Sequence, residues 1–178
     1  MAIRRVYITG GPGSGKSTLS QKIAAAAGLP LYEMDGVSFA QRWDGEKMAA
    51  EAERIAVMDE WVSEGSYLGW TVPLLDRAEL IIRLDVTSHV ALYRVLARHV
   101  KADMAGNNRF PGWRNFFRFW RWVRRYYHNS DLPGLNPWGV PYMDQTARAI
   151  LEAYAEKVMV CRNNGEVAKV LAERFGVR

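Results

Sequence analysis

The chain carries one cysteine in 178 residues, Cys161, and this excludes an internal disulfide. Together with the lack of a secretory leader, it leads us to expect a reducing, cytoplasmic setting. Long apolar runs are also missing. The run from Val6 to Thr9 stops at Gly10, too short for a signal peptide or for a span of about 20 residues, so no membrane partner is expected. The three histidines, His89, His99 and His128, lack metal-ligand spacing and read as structural. There is no internal repeat or low-complexity segment. Hydrophobic residues make up 49% and charged residues 24%, which excludes a disordered chain. At this length, one domain over 1–178 is expected.

What is present alternates between two kinds of segment. Arg4–Thr9 is β-branched and aromatic and runs into glycines, as a first strand does. Ser17–Ala27 is rich in helix formers and ends at Gly28, a natural C-cap. Leu31–Met34 reads as a short strand, and Asp44–Glu60 as a helix with Met48, Ala52, Ile55 and Met58 on one face. Trp61–Ser63 and the apolar Leu80–Leu84 read as buried strands. Helices are predicted over Ser88–Val100 (with Thr87 or Ser88 as N-cap), Gln145–Ala155 and Glu166–Phe175, with a strand at Lys157–Cys161. Asp131–Pro141, with three prolines and two glycines, reads as a loop. Strands alternating with helices predict a three-layer α/β/α domain with five parallel strands, and ligands beyond their carboxyl ends.

Between the first strand and first helix lies Gly10-Gly-Pro-Gly-Ser-Gly-Lys-Ser17, a complete G-x-x-x-x-G-K-[ST] match followed by Thr18. Glycines let successive backbone N–H groups converge on phosphates, and the helix behind points its positive end at the same anion. Gly11, Pro12, Gly13, Ser14, Gly15, Lys16, Ser17 and Thr18 are therefore the candidate nucleotide-binding residues. Lys16 is expected on the β- and γ-phosphates and the Ser17 hydroxyl on magnesium, so ATP and Mg2+ are the expected cofactors. A guanine-reading N-K-x-D motif is absent: Asn163-Asn164-Gly-Glu166 lacks both the lysine and the aspartate.

This loop, the Glu33-x-Asp35 pair after a short strand, and Arg94-x-x-x-Arg98 after a buried strand resemble the adenylate kinase and shikimate kinase superfamily. Trp61-Val-x-Glu-Gly-Ser-Tyr67 and an arginine- and aromatic-rich segment are similar to its bacterial adenylate-kinase-related branch, the DNA topology modulation proteins. The resemblance implies strand order 2-3-1-4-5 and a helical lid, here roughly 101–141. It implies Asp35 as the residue that holds the acceptor hydroxyl, and Glu33 as a metal contact through water. With Glu33 and Asp35 two apart on a strand, both would face one cleft, although Asp35-Gly36 is also a common turn dipeptide. The implied strand order sets Glu64 beside the phosphate-loop strand, where a carboxylate can hold a magnesium-bound water. Arg94 and Arg98, one helical turn apart, would cover adenine and grip phosphates, unless they form a solvated face. Arg42 would meet an anionic acceptor. Asp85 imitates a metal-binding acid but is expected to cap the next helix. Glu64-Gly-Ser-Tyr67 replaces the adenylate kinase Asp-Gly-Phe-Pro-Arg, and the lid cysteines and the shikimate kinase glycine triplet are absent. The acceptor is therefore left unnamed.

Trp113–Tyr127 is the most unusual stretch. At 100° per residue, Arg114, Arg118, Arg121 and Arg125 form one stripe, opposite Phe116, Trp120, Val123 and Tyr127. The stripe reads as a kinase lid, with Arg109, Arg114 and Arg118 as lid residues and Arg109 and Arg114 nearest the hinge, as a nucleic-acid surface, or as a solvated basic face. Trp43, Trp61 and Trp70 are expected to pack or to line an acceptor pocket. These signals point to an ATP- and magnesium-dependent phosphotransferase, with Lys16, Asp35, Arg94 and Arg98 as its catalytic groups. The acceptor would be nucleoside monophosphate-like or a hydroxyl-bearing metabolite. The alternatives are a nucleotide-dependent nucleic-acid-binding regulator and an ATPase switch. A monomer or homodimer is expected.

Overall fold

The computed structural model describes residues 3–108, 111–128 and 134–177. Five strands, β1 (Arg5–Gly10), β2 (Leu31–Glu33), β3 (Trp61–Glu64), β4 (Leu80–Leu84) and β5 (Val158–Cys161), form a parallel sheet in the order β2-β3-β1-β4-β5. This is the predicted order. It puts β1 and its glycine-rich turn at the centre, where a ligand can sit beyond the strand ends.

Side-chain alternation along the strands builds two cores. Val6, Ile8, Val62, Leu80, Ile82 and Leu84 face α1 (Lys16–Ala27) and α8 (Asn164–Phe175), through Leu19, Ile23, Val170 and Leu171. Tyr7, Trp61 and Ile81 face the other way, onto α3 (Gly45–Ala56), α4 (Val72–Arg77) and α7 (Asp144–Glu152), through Ile55, Leu74, Leu75 and Leu151. Because both faces of the sheet are covered, its strands read as continuous apolar runs. The predicted C-cap holds: Gly28 ends α1 in the left-handed conformation at φ 66°. Asp44, expected to open the next helix, caps α3 by accepting from the Lys47 N–H.

Two elements escaped the periodicity. One is α2 (Met34–Ala40) and the other is α4, six residues with Pro73 in its first turn. Both are too short to show a helical repeat. The first of them corrects a site expectation: β2 ends at Glu33, and Asp35 lies in the first turn of α2 rather than on the strand. The expected Gln145–Ala155 helix runs instead over Asp144–Glu152, with a 3-10 turn at Ala155–Lys157 before β5. In the predicted 131–141 loop, the described part is irregular apart from one bridge, Leu135 to Pro141.

The remaining two helices, α5 (Ser88–Met104) and α6 (Trp113–Tyr127), pack on each other outside the sheet. Val95, Phe116 and Val123 are buried between them, and Leu92 and Trp120 pack against these. No helix among the described residues is long and apolar enough to cross a membrane.

Asp85 does not cap α5. The N-cap position is Thr87, with no side-chain bond to the helix. Asp85 instead joins an ion cluster around Arg83, which β4 carries into the interior at 4% exposure. Arg83 Nη2 lies 2.6 Å from Asp144 Oδ1 and 3.5 Å from Asp85, and Arg148 bridges both acids at 2.6 and 2.8 Å. A buried guanidinium demands counter-ions, and Asp85 is the acid two residues along. Asp144→Ala should therefore cost about 3 kcal/mol, because it strips a buried cation of its nearest partner, while exchanging the pair together, Arg83→Met with Asp144→Leu, should be closer to neutral. Urea unfolding of both variants measures this, and an unchanged midpoint for Asp144→Ala would show that the pair does not hold the cluster.

Candidate nucleotide and phosphate site

The β1–α1 turn is shaped by backbone conformations open only to glycine. Gly10, Gly13 and Gly15 have φ of 153°, 78° and 102°. A side chain at Gly10 or Gly13 would also strike the backbone of Leu84 or Ala91 within 2.7 Å. Gly11 is constrained differently. A Cβ there would lie 2.5 Å from the Tyr127 hydroxyl and 2.6 Å from the Tyr126 ring, so this glycine makes room for α6. The Tyr127 hydroxyl donates to the Pro12 carbonyl at 3.1 Å. Ser14 is 3% exposed and its hydroxyl has no partner among the described residues. An orphaned buried donor within the loop fits a site built for an oxygen-rich anion.

Lys16 and Ser17 open α1 at the mouth of this loop. Lys16 Nζ donates to the Gly11 carbonyl at 3.3 Å, folded over its own loop. Ser17 Oγ donates to Glu64 Oε1 at 2.8 Å. Sheet register explains this second contact: Glu64 pairs with Ile8 on one side and with Glu33 on the other, two residues short of Gly10. The hydroxyl and carboxylate expected on a magnesium shell are thus already in contact, and this donor set fits a hard, oxygen-seeking cation. Among the described residues no cluster of three or more His, Cys, Asp or Glu forms a metal site by itself.

Charge couples these groups. Burial pushes the Lys16 ammonium below its usual pKa, Glu64 and Asp35 oppose this, and Arg98 reinforces it. Burial raises the Glu64 carboxyl, Lys16 and the Ser17 bond oppose the rise, and Asp35 and Glu33 add to it. Asp35, in the first turn of α2, thus lies within electrostatic reach of Lys16 and Glu64. Its Oδ1 accepts from the Tyr67 hydroxyl at 2.8 Å. Burial, then the Asp35 charge, raises the Tyr67 phenol and keeps it a donor.

The other expected residues divide. Arg94 reaches the loop, with Nη1 2.8 Å from the Ser14 carbonyl and Nη2 3.2 Å from Asn164 Oδ1. Arg98 is felt electrostatically at Lys16. The exposed Arg42 stands in a strained turn at φ 52°, and no ion pair holds it among the described residues. Thr18 and Glu33 are exposed. Arg114 and Arg118 lie on the exposed face of α6, while α6 meets the phosphate loop at its opposite, C-terminal end. Arg109 lies outside the described residues. Three participants were not anticipated: Tyr126 and Tyr127 over the loop, and Tyr67 as the partner of Asp35. Tyr67 belonged to a quoted motif, but nothing local marks its reach to α2.

The Glu64 shift has a measurable sign. Its folded pKa exceeds the unfolded one, so the folded state holds more protons, and its contribution to stability falls as pH rises through that window. In nucleotide- and metal-free buffer, Glu64→Gln should gain stability relative to the parent as pH climbs from about 4 to 8. Urea unfolding across this range measures the difference. A constant or shrinking difference would contradict the desolvated carboxyl.

Comparison with known proteins bears on the same region. The model of the ATPase family associated with various cellular activities (AAA) matches residues 6–63, which span β1, the phosphate loop and β3. No curated protein matches the sequence. Among solved structures, an uncharacterized protein from Eubacterium ventriosum superposes with a TM-score of 0.53 at 14% identity, over 97% of this chain and 98% of that one. A shikimate kinase from Acinetobacter baumannii in complex with shikimate gives 0.49 at 14%, over 96% and 92%. A gluconokinase from Sinorhizobium meliloti gives 0.47 at 17%, over 97% and 90%. Such identities speak to fold alone. The central phosphate loop and the 2-3-1-4-5 parallel sheet make this a P-loop kinase-like α/β fold.

Proposed function

We propose that the chain is an ATP-dependent phosphotransferase that moves the γ-phosphoryl group to a small hydroxyl-bearing acceptor. The observation that carries this reading is the gathering of Lys16, Ser17, Glu64 and Asp35 at the carboxyl end of β1 and β3, with Ser17 bonded to Glu64 and Asp35 coupled to Lys16. A bare ATP-binding switch has no need of a second carboxylate held on a separate helix facing the loop.

Loop N–H groups and Lys16 bind the β- and γ-phosphates, and Ser17 with Glu64 would hold the metal, with Glu33 adding charge beside them. Magnesium, when bound, would neutralise negative charge on the phosphates. The acceptor hydroxyl attacks the γ-phosphorus, so its O–P bond forms while the bond to the β–γ bridging oxygen breaks and ADP leaves. Asp35 orients that hydroxyl and takes its proton. Arg94, docked on Ser14, and Arg98 supply positive charge to the transferring group. The loop glycines exclude side chains from the phosphates, and α5 and α6 form the lid side of the cleft.

The reading is tested in two steps. Lys16→Ala and Ser17→Ala should each weaken Mg-ATP binding about tenfold or more without unfolding the chain. Parent-like calorimetric affinities in both would refute the phosphate site. Asp35→Asn should leave ATP affinity near the parent value and lower kcat about 100-fold or more with a working acceptor. Unchanged turnover would remove Asp35 from the role.

A second reading rests on one observation. The five arginines of α6 face no acid among the described residues, and the helix itself contains none. Such a surface suits a nucleic-acid backbone. If it serves one, changing Arg114, Arg118, Arg121 and Arg125 to glutamine should abolish a steeply salt-dependent DNA affinity and leave phosphoryl transfer intact. The kinase reading expects slowed transfer and no such affinity, and filter binding beside an ADP-release assay separates them.

A further inference from the structure

Alternate carbonyls of the phosphate loop are held by side chains from three separate parts of the chain. The Gly10 carbonyl accepts from Ser66 Oγ at 3.0 Å, the Pro12 carbonyl from the Tyr127 hydroxyl at 3.1 Å, and the Ser14 carbonyl from Arg94 Nη1 at 2.8 Å. Tyr127 ends α6, Arg94 stands on α5, and Ser66 lies two residues beyond β3. The Gly11 carbonyl, between the first two, is left to nearer groups. It accepts from Lys16 Nζ at 3.3 Å and from the Ser14 N–H at 3.2 Å.

A clamp of this kind fixes more than a carbonyl. The peptide group is planar, and no peptide bond here is cis. The N–H of the next residue therefore points opposite to the held oxygen. After Pro12 and Ser14 those residues are Gly13 and Gly15, with φ of 78° and 102°. Among the described residues no backbone carbonyl takes up either N–H. Successive free N–H groups in such a turn form a nest for an anion. Left to itself, a glycine-rich turn can rotate these planes, and a rotated plane would offer the anion a carbonyl in place of a donor. Donors already aimed at the charge cost no reorganisation when it arrives.

The two outer clamps are themselves well anchored. Tyr126, buried beside Tyr127, presses its ring on Gly11, so the end of α6 cannot leave the loop without uncovering it. Ser66 belongs to the run Glu64-Gly-Ser-Tyr67, in which Glu64 holds Ser17 and Tyr67 holds Asp35. Gly65 lets the run turn here. A Cβ on it would lie 2.9 Å from the Met34 side chain, and its N–H bonds the Ile8 carbonyl at 3.0 Å.

We propose that Tyr127 and Ser66 are positioning residues for nucleotide binding. With Arg94 on Ser14, they lock the peptide planes of the loop so that Gly13 and Gly15 present their N–H groups to the phosphates. Neither side chain touches the ligand; both act through the backbone. This rests on the phosphate-site reading and adds a source of affinity that lies outside the loop motif. The effect falls on the polyphosphate, whatever the base or the acceptor. It also gives α6 a role at the nucleotide that is independent of its arginines.

The test uses two probes, Mg-ATP and Mg-tripolyphosphate, the second of which can meet only the phosphate site. A parent chain that binds neither by calorimetry would sink the phosphate-site reading and this inference with it. Tyr127→Phe keeps the ring beside Gly11 and removes only the donor. It should weaken both probes by the same factor, about tenfold. Ser66→Ala should likewise weaken both, and Ser66→Thr, which keeps the hydroxyl, should restore most of the loss. A merely structural role is separated by the amide resonances of a chain labelled with 15N at its 15 glycines. In Tyr127→Phe the Gly13 amide should lose most of the shift that tripolyphosphate induces in the parent, while Gly15, held through Arg94, should keep its own. Parent-like affinities in either Tyr127→Phe or Ser66→Ala overturn the inference. So does a loss confined to Mg-ATP, which would put the side chains on the nucleoside, or a change spread evenly over all glycine amides, which would mark a general disturbance of the fold.

Discussion

The pairing of β1 with β3 sets the geometry of the whole cleft. Ile8 lies opposite Glu64, so the third strand ends two residues before the first strand reaches Gly10. That offset puts the Glu64 carboxylate beside the start of α1, where the Ser17 hydroxyl meets it at 2.8 Å. A slip of one residue would turn Glu64 to the opposite sheet face, away from the loop, and bring Ser63 in its place. The two cores guard against the slip, since it would also exchange Val62 with its neighbours across the sheet. Packing of apolar side chains, far stronger in sum than any one contact in the cleft, thus fixes a polar arrangement that would not hold itself.

Much of this was legible because its signals are local. The phosphate loop is one unbroken run, the alternation of strands with helices gives a parallel sheet covered on both faces, and its order was supplied by the resemblance alone. What was not legible depends on distance or brevity. Asp35 was placed on a strand because Leu31–Glu33 is β-like and Asp35-Gly36 imitates a turn, and a seven-residue helix shows too little period to announce itself. From the first turn of α2, Asp35 is still within electrostatic reach of Lys16. Asp85 was misassigned for a different reason. Position before a helix suggests capping, but the buried charge of Arg83, an interior matter, claims the acid first. Tyr67 and Tyr127 act through partners 32 and 115 residues away, and Tyr126 through a shared surface, and no spacing rule reaches so far.

The orientation of α6 changes what its arginines can do. The helix is fixed at its C-terminal end, where Tyr126 and Tyr127 press on Gly11 and Pro12. Arg114, thirteen residues earlier, is about 20 Å away along the axis at 1.5 Å per residue. If α6 swings on that contact, the arginines nearest the tyrosines, Arg124 and Arg125, sweep the smallest arc. The expected hinge instead lies before the helix, where Arg109 and Arg114 would travel least. The contact joins α6 to the loop, and Phe116 and Val123 join α6 to α5, which carries Arg94 and Arg98.

On the phosphoryl-transfer reading, the two sides of the cleft have different chemistry. The donor side would meet charge with charge through glycine N–H groups, Lys16, Arg94 and Arg98, whose placement follows from the sheet and α5. On the side of Asp35, Phe39 follows one helical turn along α2 and meets Trp43, in a turn held under backbone strain at Arg42 and Trp43. Strain of that kind persists only where surrounding structure over-determines it, here the bond from the Trp43 N–H to the Ser38 carbonyl and the neighbouring rings. On the same reading the donor side would meet phosphates that all nucleoside triphosphates share and so carry little selectivity of its own. Selectivity for an acceptor would then fall to the side chains around Asp35, because a carboxylate that accepts one hydroxyl proton cannot tell one alcohol from another.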